Sequence, residues 1–291
     1  MALDTGSPPA RLPILGGEVD AVTPAEVMEF VDRRVAARQN TLIANHNLHS
    51  LHLVRRSAPM RAFYRRADLV EADSTPMILW GRLLGLPIER RHRCTYLDWR
   101  EAFWALAVQR GWRVFYLGGE PDVAKAGADA IERRWPGAQI STHHGRFDLD
   151  PGGPENLAVL EAVDQVRPDV LFVGMGMPRQ EDWIVDNIDR LGGCVVFSVG
   201  AAFDYEAGVI ATPPRWAGRI GLEWLFRLVS EPRRLFTRYL VEPWDLIGPA
   251  MADIVRALQR NSRSTTGHEK APEASSGAHI VNPVSQPNSP G

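Results

Sequence analysis

Short apolar runs alternate with amphipathic stretches through most of the chain. TLIA precedes LHSLHLVRRSAPMRAFYRRA, RVFYLGG precedes PDVAKAGADAIERRW, and AQIST precedes ENLAVLEAVDQV; DVLFVGMG then precedes RQEDWIVDNIDRL and the run CVVFSVG. Runs this short and rich in Val, Ile and Phe read as buried strands, and the stretches between them carry apolar residues at helical spacing. Strand and helix in alternation predict an α/β fold: a Rossmann-like, mainly parallel sheet flanked by helices, with a C-terminal helical appendage. Ligands of such sheets bind outside the carboxyl ends of the strands, which singles out the loops after Ala44, Leu117, Val173 and Val199.

The pattern fades at both ends. Residues 1–11 are polar and contain prolines, and from 261 onward Ser, Pro, Gly and Asn dominate, with too few apolar positions to offset ordering entropy. The expected organisation is a flexible N-terminus over 1–11, a core over 12–212, a basic and aromatic helical appendage over 213–260 and a disordered tail over 261–291.

Composition narrows the class. At 291 residues and 45% hydrophobic, the chain can bury a sizeable core. A formal net charge of -2 argues against a general nucleic-acid binder. Cys94 and Cys194 lie far apart with no CxxC spacing, so neither a disulfide framework nor a zinc site is expected and a reducing, cytoplasmic setting fits. The start lacks the pattern of a signal peptide, and no apolar run reaches the roughly 18 residues of a spanning helix.

Several loops carry candidate chemistry. Gly118 and Gly119 precede Pro121, which is placed to open a helix, and Gly174 and Gly176 precede Pro178, Arg179, Gln180 and Glu181. Glycines before a helix N-terminus let backbone amides approach a phosphate, Arg179 is suited to pair with one, and Gln180 to bond a base or sugar hydroxyl. The plainer alternative is a tight turn whose Glu181 and Asp182 complement the helix dipole. Asn45 and Asn47 at a strand end suit polar recognition. His46, His49 and His52 would drift by roughly 60° per step around a helix, too far to share an ion. Asp73, after LVEA and before Ser74, Thr75 and Pro76, suits either a helix cap or a general base. Asp148 and Asp150, followed by Pro151 and glycines, read as a solvated turn more readily than as a metal site. Between Arg215 and Arg238 stand six arginines against Glu223 and Glu231, interleaved with Trp216, Trp224, Phe226 and Phe236; this pattern suits an anionic membrane surface or a packed helix with an arginine rim.

Taken in order from Asn45 to Pro243, N-x-N, EADS, VFYLGG, DVLFVGMGMPRQEDW, GAAFDYEAG and GLEWLFRLVSEPRRLFTRYL resemble the WecG/TagA/CpsF family of glycosyltransferases. The resemblance implies a cytoplasmic enzyme, peripheral on the inner face of the plasma membrane. It would move an N-acetylmannosamine-type or other hexose from a UDP-sugar to an undecaprenyl-diphosphate-linked saccharide, with no metal and no nucleic-acid partner, and with homo-oligomerisation left open. It makes Asp73 the catalytic base, with Asn45 and Arg91 beside it, and matches Asn47 and Gln180 to family positions; the glycine turns add Gly118, Gly119, Gly174 and Gly176 as expected substrate contacts, and the arginine-rich C-terminal block adds Arg215. The chain departs from the family pattern at Ser74 and Cys94, which replace glycines, and at Thr212-Pro213-Pro214, which replaces RAP. A catalytically idle nucleotide-binding scaffold is the alternative those departures suggest. A nucleotide-dependent oxidoreductase is disfavoured by the lack of GxGxxG with an acidic residue about 20 positions on.

Overall fold

The computed structural model describes residues 11–210, 223–230 and 232–267. It opens with a hairpin, β1 (Arg11–Ile14) and β2 (Gly17–Asp20), followed by α1 (Pro24–Ala36). Then come β3 (Thr41–His46), α2 (Leu48–Arg56), α3 (Ala58–Arg66), β4 (Leu69–Ala72), α4 (Thr75–Leu83), α5 (Tyr96–Arg110), β5 (Arg113–Gly118), α6 (Pro121–Arg134) and β6 (Gln139–His143). The rest is α7 (Pro154–Val166), β7 (Val170–Gly174), α8 (Arg179–Asn187), β8 (Val195–Ser198), α9 (Ala202–Glu206), α10 (Glu223–Ser230), α11 (Pro232–Phe236) and α12 (Ile247–Gly267).

Strands β3 to β8 form one sheet in the order β4-β3-β8-β7-β5-β6, with every neighbouring pair parallel. Successive strand residues face opposite sides, so both faces are apolar. Leu42, Phe115, Leu117, Leu171, Val173 and Val196 enter one core, whereas Ile43, Val114, Tyr116, Val170, Phe172 and Phe197 enter the other. The second core is an aromatic cluster in which Phe103 of α5 stands 4.8 Å from the Phe172 ring. The chain runs outward from β3 to β4 on one side and from β5 to β6 on the other, then returns to fill the centre with β7 and β8. This reversal opens a crevice at the carboxyl ends of the central strands.

The hairpin is absent from the sequence pattern because its strands have four residues each, one of them Pro13, too short for alternation to register. It matters because α12 docks on it. The Leu15 N–H and the Trp80 indole both donate to the buried Asp253 carboxylate, at 2.8 and 3.0 Å. The last helix is thus tied to the first turn of the fold, and it continues beyond residue 260 to Gly267. Among the described residues no helix is long and apolar enough to cross a membrane.

Candidate active site

The crevice holds a cavity of about 380 Å³, within the range of small-molecule sites. Its wall is assembled from the ends of five strands: Asn45 and Asn47 at β3, Glu71 and Asp73 at β4, Gly119 after β5, Gly174 to Met177 from the end of β7 onward, and Ser198 to Ala201 from the end of β8 onward. Arg238, in a π-helical turn over Thr237–Val241, closes one side.

Asp73 is not the cap of the helix that follows; Ser74 takes that position. The Asp73 N–H donates to the His46 carbonyl at 2.9 Å, which prolongs the β3–β4 pairing by one residue and brings the side chain to the cavity. Asn47 caps α2, its Oδ1 accepting from the Ser50 N–H at 3.0 Å, while its Nδ2 donates to Asp73 Oδ2 at 3.4 Å. Asn45 Nδ2 donates to the Ser198 carbonyl at 2.6 Å, and the Asn45 carbonyl accepts from the Tyr64 hydroxyl at 2.8 Å, so this residue stitches β3 to β8 at the crevice. His46 points the other way. It is buried, bonded to Ser50 Oγ at 2.8 Å and stacked on Tyr64, and burial holds its pKa down to about 3, so the ring is neutral.

The glycine turns are occupied largely by their own structure. Gly118 and Gly174 face each other across the β5–β7 ladder, and a Cβ on Gly118 would lie 2.3 Å from the Gly174 carbonyl oxygen. The Gly119 N–H donates to that same oxygen at 3.2 Å. Gly176 has φ +78° and open space around it, and its N–H donates to Gln180 Oε1 at 3.1 Å. Gln180, 1% exposed, spends its amide nitrogen on Glu181 Oε1 at 2.7 Å. In this arrangement Gln180 bolts the turn to the helix behind it. Arg179 and Gln180 both line the cavity, and Arg179 is tethered there, donating to the Gly145 carbonyl at 3.1 Å and also to the Phe147 carbonyl.

Two carboxyls are buried here: Glu71, which the sequence pattern does not single out, and Glu181, which that pattern places at the helix start without its burial. Glu71 lines the cavity and Glu181 lies behind Gln180, and burial raises them to about 8 and about 7. A charged residue inside the apolar run LVEA, two positions from Asp73, was the available signal for Glu71. Asp204, after β8, joins the same wall.

Arg91 is not brought to this cavity. It lies in the short turn Arg90–His92 with its side chain 65% exposed, paired with Glu89 at 3.1 Å. Arg215, like Thr212 to Pro214, lies outside the described residues. His49 and His52 part company with His46 and engage Glu242 and Asp245, bringing α2 against the C-terminal segment. Asp148 and Asp150 accept backbone N–H groups of their own turn, at 3.1 and 3.3 Å. Among the described residues no group of three or more metal-binding side chains converges.

The model of the Glycosyl transferase WecG/TagA/CpsF family matches residues 12–260. This chain belongs to that family. Two relatives are N-acetylglucosaminyldiphosphoundecaprenol N-acetyl-beta-D-mannosaminyltransferases of Staphylococcus aureus, strains MRSA252 and NCTC 8325 / PS 47. Each is 25% identical over 237 residues, covering 81% of this chain and 91% of the relative. As a WecG/TagA/CpsF glycosyltransferase the chain carries two of its three departures, Ser74 and Cys94, within the described residues. Ser74 caps α4 without a side-chain bond, and the buried Cys94 thiol donates to the Val22 carbonyl at 3.2 Å. Burial pushes that thiol's pKa up.

Proposed function

We propose that this glycosyltransferase is an inverting, UDP-sugar-dependent hexosyltransferase. It moves an N-acetylmannosamine-type sugar or a related hexose to a saccharide carried on undecaprenyl diphosphate, in cell-surface polysaccharide or teichoic-acid-type assembly. The observation that carries the reading is the Asp73 carboxylate at the cavity, held by Asn47 and facing the same space as the Arg238 guanidinium. The staphylococcal relatives, named as N-acetylmannosaminyltransferases acting on N-acetylglucosaminyldiphosphoundecaprenol, support both the sugar and the lipid-diphosphate acceptor.

The acceptor hydroxyl attacks the anomeric carbon of the donor while Asp73 takes its proton. The bond from that carbon to the β-phosphate oxygen breaks on the opposite face, and UDP leaves with the bonding electrons. A carboxylate within hydrogen-bond reach suits the first role, and a fixed cation suits the charge that develops on the leaving diphosphate. Because the amides of Gly119 and Gly176 are already engaged, Arg238 is the better placed of the candidates for that charge.

The reading includes peripheral attachment to the inner face of the plasma membrane. Trp244, Ile247, Met251, Val255 and Leu258 are exposed and recur at helical spacing, and the exposed Arg256 and Arg260 lie on the same helix. An apolar line with cations suits an anionic bilayer surface. Flotation with anionic liposomes should carry the protein upward, and equal flotation after Ile247, Met251 and Val255 are all changed to Ser would remove this helix from the role.

The deciding experiment is UDP release from a panel of UDP-sugars, with and without a lipid-diphosphate-linked saccharide. Release that requires both substrates is expected. Binding of UDP without release from any donor would favour the idle scaffold.

A further inference from the structure

Glu71 and Asp73 stand two positions apart at the end of β4, and alternation along a strand sends both to the side on which the cavity opens. Their surroundings differ. Glu71 is 3% exposed, and its Oε1 is enclosed without a hydrogen-bond partner. Desolvation is the largest influence on it and the Asp73 charge the next, both opposing ionisation; the Trp99 side chain offsets part of this and Asp98 adds to it. Asp98 is itself paired with Arg93 at 2.8 Å, and the neighbouring Cys94 is an un-ionised thiol. Asp204 and Arg238 line the same cavity. A carboxylate enclosed beside another carboxylate costs more than a carboxylic acid in the same place.

We propose that Glu71 is a positioning residue that works as a neutral carboxylic acid, so that the pair at the end of β4 carries a single negative charge, on Asp73, when a diphosphate enters the cavity. Asp73 is then left as the only ionised member and the only base of the pair. The cavity also avoids a second anion beside an incoming pyrophosphate. Burial sets the loss of the Glu71 proton at about pH 8, so above that pH a second negative charge appears and opposes the diphosphate. The second half of this inference rests on a nucleoside-diphosphate donor; the charge state of Glu71 does not.

The test measures UDP binding by calorimetry between about pH 7 and 9.5 in the full-length protein, in Glu71→Gln and in Glu71→Asp. The protein as found should lose affinity by roughly tenfold across this range, Glu71→Asp should retain a loss, and Glu71→Gln, which fixes the neutral form, should stay within about twofold. The same pH dependence in the protein as found and in Glu71→Gln overturns the proposal. Carboxyl-13C glutamate resonances, followed against pH without ligand, give the second readout: one titrates near pH 8 and disappears in Glu71→Gln. A Glu71 carboxyl already ionised at pH 7 overturns the proposal even if the variants fail to fold. If UDP binds neither protein, the assigned donor fails, and the carboxyl resonance still decides the state of Glu71.

Discussion

Asn47 Nδ2 donates to Asp73 Oδ2 at 3.4 Å, joining the cap of α2 to the residue that follows β4. The Oδ1 of the same amide holds the Ser50 N–H at 3.0 Å, so its orientation is set before it meets the carboxylate. Asn47→Asp separates the two tasks: the cap survives, but a second carboxylate replaces the donor facing Asp73. Stability where both carboxylates are ionised should fall by about 1.4 kcal/mol for each unit by which the like charge raises the pKa of Asp73, and the acidic limb of the rate profile should move to higher pH by the same shift. Asn47→Ala should lose about 1 kcal/mol in urea unfolding as well as rate. An unshifted acidic limb in Asn47→Asp would dissociate this contact from turnover.

Asp73→Asn keeps the size of the side chain and removes its basicity. Turnover should fall by about 10²- to 10⁴-fold, the usual worth of a general base, with UDP affinity undiminished, since the change removes a negative charge from the cavity. Steady-state rates paired with UDP calorimetry check this, and unaltered turnover would exclude Asp73 as the base.

The glycines divide by cause. At Gly118 an added Cβ meets the Gly174 carbonyl oxygen at 2.3 Å, and neither backbone can yield without breaking the β5–β7 ladder. Any substitution there should cost about 3 kcal/mol or more. Gly176 is constrained only by its φ of +78°. Gly176→Ala should cost about 1–2 kcal/mol and Gly176→Asn less, since Asn tolerates that region. Chemical denaturation of the three variants tests the ranking, which fails if Asn gives no relief at 176.

Glu181 makes stability depend on pH. Burial is the first cause of its rise from 4.5 to about 7, so the folded state holds a proton that the unfolded chain has lost between those values. Its contribution is fully present below about pH 4.5 and is lost as pH rises to about 7, with a slope of at most about 1.4 kcal/mol per pH unit. His46 acts in the opposite sense, its neutral ring losing its benefit as pH falls from 6.5 toward about 3. Comparing Glu181→Gln with the unaltered chain cancels His46. The variant should gain relative stability from pH 5 to pH 8 in urea midpoints, and a gain of the opposite sign would refute the burial argument.

Much of the fold was legible because its signals are local. Runs such as DVLFVG and CVVFSVG declare strands buried on both faces, and a glycine or polar residue at each run's end declares where the crevice must open. Asp73, Asn45, Asn47 and the glycine turns could be named because they stand at those ends. The short hairpin could not, since four-residue strands lack a readable period. Glu71 could not either, because the sequence shows a charge in an apolar run without showing what encloses it.

The sequence alone determined the alternation of strand and helix, the family motifs and the residues available to the cavity wall, since each depends on neighbours along the chain. Only the tertiary structure decided which of them converge. It brought Asp73, Asn47 and Arg238 to one cavity, left Arg91 at the surface, and set Gln180 and Arg179 in the cavity wall with their side chains bonded to the protein. The reason is physical: a hydrogen bond between residues 47 and 73, or a burial that protonates Glu71, exists only once parallel strands distant in sequence lie side by side.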